Sequence, residues 1–109
     1  MMRGLRPIPL RLLAEDAVVR VPDGDGGYAE GVAVSHMRFA RTQSVVGDGH
    51  RSAVAGSGKV YVDALNSGGA FEVPAGSRID IGDHSYLVTD CMRCEDFNGR
   101  VHHWELVVR

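Results

Sequence analysis

Apolar side chains recur in this chain at every second position, in short runs separated by glycine, proline, asparagine and aspartate. That is the period of half-buried β-strands, not of helices. In Ala14 to Val21, the residues Ala17, Val19 and Val21 share one face, and further strands are expected over Val60 to Leu65, Arg78 to Ile81, His84 to Cys91 and Val101 to Arg109. The last of these places His102, Trp104, Leu106 and Val108 on one side, and His103, Glu105, Val107 and Arg109 on the other. Residues 28–42 read as one long strand whose phase slips midway, with Val32 and Val34 on one parity and Met37 and Phe39 on the other. A one-residue β-bulge near Ser35 and His36 would turn both pairs inward and curl the sheet.

Turn chemistry punctuates these runs. Pro22 to Gly27, Asn66 to Gly69 and Asp96 to Gly99 are turn clusters. Gly82-Asp83 suits a two-residue type II′ hairpin, which sets Ile79 opposite Tyr86. Pro9 fits the first position of one or two helical turns ending near Leu13. About six strands with turns between them predict an all-β fold, a small antiparallel barrel or sandwich, with a short N-terminal helical turn. No repeat or boundary divides residues 1–109, so one domain is expected. It is interrupted by a long glycine-rich stretch, Gly47 to Gly58, which is expected to be a flexible loop that works on a partner.

Composition narrows the function classes. The chain has 109 residues with 44% hydrophobic and 24% charged, near globular averages, so general disorder is not expected. The net charge of −2 argues against tight sequence-independent nucleic-acid binding, which needs a concentrated basic surface. No apolar run approaches the roughly 20 residues of a membrane span, and no signal peptide is recognisable. With two cysteines only three apart, synthesis in a reducing cytoplasm is the expectation.

Candidate chemistry is sparse. Cys91-Met92-Arg93-Cys94 with His102 could supply zinc ligands, and His84 a fourth. However, adjacent His102 and His103 point to opposite faces of a strand, so only one can turn toward the cysteines. The plain alternative is a pair of ordinary thiols near a strand end. Gly56-Ser57-Gly58-Lys59 imitates a phosphate loop, but Ala53 and Val60 stand where glycine and serine or threonine are required, and a strand follows. Asp23 to Gly27 opens like a calcium loop and lacks its later ligands. The histidines have no serine or cysteine in a nucleophile setting, so no catalytic residues, cofactor or resident metal are expected and the chain reads as a non-enzyme. Trp104, the only tryptophan, is read as a core anchor of the last strand, with an interface hot spot as the alternative.

Three stretches carry a family resemblance. Arg6-Pro7-Ile8-Pro9-Leu10-Arg11-Leu12-Leu13 resembles the opening of a family of minor capsid proteins of tailed bacteriophages and prophages. Gly99-Arg100-Val101-His102-His103-Trp104-Glu105-Leu106 is similar to that family's ending, with tryptophan in place of tyrosine. Arg78 to Val88 is similar to its hairpin. The resemblance implies a head-completion (stopper, head–tail connector) protein of the virion neck. Such a chain joins its own copies in a ring, twelvefold by the resemblance, beneath the portal and adaptor, retains packaged DNA and receives the tail-completion protein. On this reading Gly47, Asp48, Gly49, His50, Arg51, Gly56, Ser57 and Gly58 face the channel and its DNA. Arg6, Pro7, Ile8, Pro9 and Leu12 dock on the adaptor, and exposed strand edges pair with neighbours. The rival readings are a free-standing β-barrel that binds a ligand or single-stranded nucleic acid through exposed aromatics, and a zinc-stapled β module.

Overall fold

The computed structural model describes residues 6–41 and 57–109. Six strands form a closed antiparallel barrel: β1 (Glu15–Arg20), β2 (Val32–Arg41), β3 (Gly58–Asp63), β4 (Arg78–Ile81), β5 (His84–Glu95) and β6 (Val101–Val108). The order around the barrel is β1-β2-β3-β6-β5-β4, closed by the pairing of β1 with β4 from Val18↔Asp80 to Arg20↔Arg78. One 3-10 turn, Leu10–Leu12, precedes β1. The expected all-β barrel, its strands and its N-terminal turn are all present.

The phase slip in the long strand is a bulge. Glu15 pairs with Met37 and Ala17 with Val34, so β2 spends three residues where β1 spends two. His36 takes the extra place at φ 54, a left-handed conformation that costs a non-glycine residue roughly 1–2 kcal/mol. The surroundings hold it there. Its N–H donates to Asp16 Oδ1 at 3.1 Å, and its carbonyl accepts from the Ser67 hydroxyl. As a result Val34, Met37 and Phe39 all face the interior. Val32, expected inside with Val34, is 43% exposed because it lies at the barrel mouth, where the β1–β2 ladder ends.

The core runs from Ala17 and Val19 through Val60, Val62, Ile79 and Val88 to Trp104, Leu106 and Val108. Fully burying each aliphatic side chain contributes about 1.5–3 kcal/mol. Phe39 and Tyr86 meet edge to face across the interior at 5.0 Å, and Ile79 pairs with Tyr86 as the hairpin register predicts. Gly82, at φ 61, makes the hairpin turn that a side chain would strain.

Two expectations change. β3 already starts at Gly58, which is buried, and a Cβ there would lie 2.3 Å from the Ala40 carbonyl. Gly58 therefore lets two strands approach closely and does not serve an accessible loop. Of the remaining predicted loop residues Ser57 is half-buried, while Gly47, Asp48, Gly49, His50, Arg51 and Gly56 lie outside the described residues. Second, β5 does not end at Cys91 but continues to Glu95. A register shift between Val88 and Asp90 swings its outer half away from β4, which pairs only with His84–Leu87. Barrel closure consumes most strand edges. Among the described strands, Asp90–Glu95 is the longest stretch with a single ladder partner, β6, and shorter ones are Glu15–Ala17 of β1 and Val32–Val34 of β2.

Candidate functional site

The polar groups of the molecule converge where the N-terminal segment, the end of β3 and the start of β6 meet. Asp63, the last residue of β3, is fully buried. Its Oδ1 accepts from the Ile8 N–H at 2.9 Å, and its Oδ2 accepts from the N–H groups of Leu65 and Asn66 at 3.0 and 2.7 Å. Asn66 Nδ2 in turn donates to the Ile8 carbonyl at 2.8 Å, and His102 Nε2 donates to the Arg6 carbonyl. A buried carboxylate is tolerated only when its lone pairs are taken up in this way. Arg6 to Ile8 are thus fastened to their own barrel through the backbone, with Pro7 and Ile8 half-buried, while Pro9 and Leu12 stay exposed. The outward-facing apolar groups of the segment are Leu10, 52% exposed, and Leu12.

A second cluster lies on the outer face of the ribbon formed by β5 and β6. Opposed residues of a ladder share a face. Cys91 opposes Leu106 and packs against the core, whereas Cys94 opposes His103 and points outward. A spacing of three on a strand separates the two thiols to opposite sides. The alternative ligand set Cys91, Cys94 and His102 is therefore corrected, since one thiol is turned inward and His102 is spent on Arg6. His84 sits apart, beside the β4–β5 hairpin turn. What comes together instead is Cys94, His103 and Glu105, whose ligand atoms lie within 4.8 Å of one another.

The contacts in this cluster are specific. His103 Nε2 is 3.1 Å from Glu105 Oε2, Cys94 Sγ is 3.7 Å from the same oxygen, and Lys59 Nζ is 3.5 Å from Glu105 Oε1. The other ring nitrogen of His103, Nδ1, is 2.7 Å from Nδ1 of His102. Hydrogen bonding from His103, assisted by Lys59, holds the Glu105 carboxyl below the usual range. Burial, with the Glu105 charge next, pushes the Cys94 thiol up. Burial pushes up Cys91 too, with Glu72 adding to it. Sequence reasoning passed over Asp63 and Glu105. Asp63 carried a signal, an acid followed three residues on by Asn66-Ser67-Gly68, the composition of a side-chain-capped turn.

Of the aromatic residues, Phe39, Tyr86 and Trp104 are buried, and Trp104 donates its indole N–H to Glu72 Oε1 at 3.1 Å. Tyr28 and Phe97 are exposed at 45% and 72%. Searches of family models, curated proteins and solved structures give no match to this chain.

Proposed function

We propose that this chain is a non-enzymatic assembly protein, a head-completion or stopper protein at the head–tail junction of a tailed phage or prophage. Its copies form a ring below the portal and adaptor and receive the tail. The observation that carries the reading is the free edge of β5 over Asp90–Glu95. It is flanked by Met92, 38% exposed, and Phe97 at the tip of the β5–β6 turn. An unpaired edge beside apolar side chains is where a neighbouring chain can add a strand and gain main-chain hydrogen bonds. Such an edge, meeting a different surface on the next copy, generates a ring. The sequence stretches that resemble the family support the reading as well. Its opening and ending, far apart in sequence, are joined here through His102 and Arg6.

The decisive experiment adds purified protein to tailless, DNA-filled heads of the phage or prophage that encodes it. Electron microscopy of these heads is expected to show an added ring below the portal, and the heads then accept tails. Phe97→Asp, a change at an exposed position, is expected to abolish addition without unfolding the barrel. A stable compact dimer in isolation, or wild-type protein that leaves such heads unaltered, overturns the reading. The ligand-binding barrel fares worse as an alternative, because three of the aromatics it would stack on are buried in the core.

A further inference from the structure

We infer that Cys94, His103 and Glu105 form a binding site for a zinc-like divalent cation on the outer face of the β5–β6 ribbon, with water completing the shell. The inference stands independently of the role in assembly. Two separate observations carry it, one of distance and one of the contacts that orient His103.

The first is distance. Bond lengths of about 2.3 Å to sulfur and about 2.0 Å to nitrogen or oxygen, at tetrahedral angles, put sulfur and oxygen about 3.5 Å apart and nitrogen and oxygen about 3.3 Å apart. Here Cys94 Sγ and Glu105 Oε2 are 3.7 Å apart, and His103 Nε2 and Glu105 Oε2 are 3.1 Å apart. All three side chains are half-buried, and Cys94 and His103 are directly opposed across the ladder, so the backbone presets their approach. A thiolate with an imidazole and one carboxylate selects zinc over magnesium or calcium, which prefer oxygen throughout. Lys59 engages only Oε1 of Glu105, leaving Oε2 to the cation.

The second observation is the set of contacts around His103. The chain of contacts runs from the Arg6 carbonyl to His102 Nε2, from His102 Nδ1 to His103 Nδ1, and from His103 Nε2 to the Glu105 carboxylate. With a cation bound to His103 Nε2, the two available N–H groups fall on His103 Nδ1 and His102 Nε2, and both contacts remain satisfied. This is the outer-shell arrangement that orients a metal-bound histidine, and here it leads directly to the carbonyl that docks the N-terminal segment.

Binding balances in charge. The Cys94 thiol gives up its proton to solvent and forms a sulfur–metal bond, so the thiolate and the Glu105 carboxylate together balance the charge of the divalent cation. Zinc titrated into the metal-stripped full chain, followed by calorimetry in two buffers of different ionisation enthalpy, is expected to bind one ion per chain with release of about one proton, that of the Cys94 thiol. Cobalt(II) is expected to give a thiolate-to-metal charge-transfer band in the wild type that Cys94→Ser removes and Cys91→Ser keeps. His102→Ala is expected to weaken zinc binding by about 10–100-fold and to loosen residues 6–8. Failure to bind one ion per chain, a wild-type cobalt complex without the thiolate band, or loss of the band in Cys91→Ser but not Cys94→Ser overturns the site. If Cys94→Ser does not fold, the wild-type band and proton count still decide.

Discussion

Along β6 the side chains of Trp104, Leu106 and Val108 close the barrel core, while His103 and Glu105, on the alternate positions, face outward into a network of protons and charges. The two faces stabilise the same strand by different physics. The inner face contributes through area removed from water, which is nearly indifferent to pH and to ions. The outer face contributes through donors, acceptors and charge, so its worth changes with every proton or cation bound. One strand thus joins an insensitive scaffold to a sensitive surface, and the surface reaches the N-terminal segment through His102.

The contrast can be tested by breaking each face in turn. Leu106→Ala, at a position with no exposure, is expected to cost about 2–5 kcal/mol, because the removed atoms leave a cavity the closed barrel cannot fill. Val107→Ala, its half-buried outward neighbour, is expected to cost under about 1 kcal/mol. Urea unfolding compares them, and equal losses would refute the division of labour between the faces.

Asp63 comes next. Asp63→Ala leaves the N–H groups of Ile8, Leu65 and Asn66 without their acceptor and is expected to cost about 2–3 kcal/mol. It should also release the N-terminal segment, so trypsin cleavage after Arg11 is expected to accelerate. Unchanged cleavage would mean that His102 and Asn66 alone hold the segment in place.

The smallest effect belongs to Glu105. Its carboxyl is held below the usual range chiefly by His103, so its folded value lies under its unfolded one. The stability it contributes is then fully present above the ordinary glutamate value of about pH 4.3, and is lost as pH falls through the lower folded value. Glu105→Gln is expected to cost under about 1 kcal/mol at neutral pH in metal-free protein. Its stability curve should merge with that of the wild type in acid, and a gap that widens in acid would reverse the assigned sign.

Much of the barrel was legible in the chain. The slip between Val34 and Met37 announced the bulge at His36, and Gly82-Asp83 fixed the register of Ile79 on Tyr86. Both are local, set by side-chain period and turn conformation within a few residues. The shift after Val88 was marked by one residue alone, Cys91, which packs on the core three positions after Val88, too short a signal to carry the strand on to Glu95, and so β5 looked finished at Cys91. That error carried the cysteines with it. Read as a knuckle at a strand end, Cys91 and Cys94 appear to converge, yet the continued strand sends them apart. Cys94 was singled out beside His102, whereas the ladder register sets it opposite His103.

The sequence by itself determined where strands run, which of their faces is apolar, and where the chain turns, because these depend on neighbours within a single element. Only the tertiary structure decided that β6 lies between β3 and β5, that Cys94 stands across from His103, and that Ile8 finds Asp63. Those meetings are set by the register between segments far apart in the chain, where moving one strand by a single residue would exchange its inward and outward side chains.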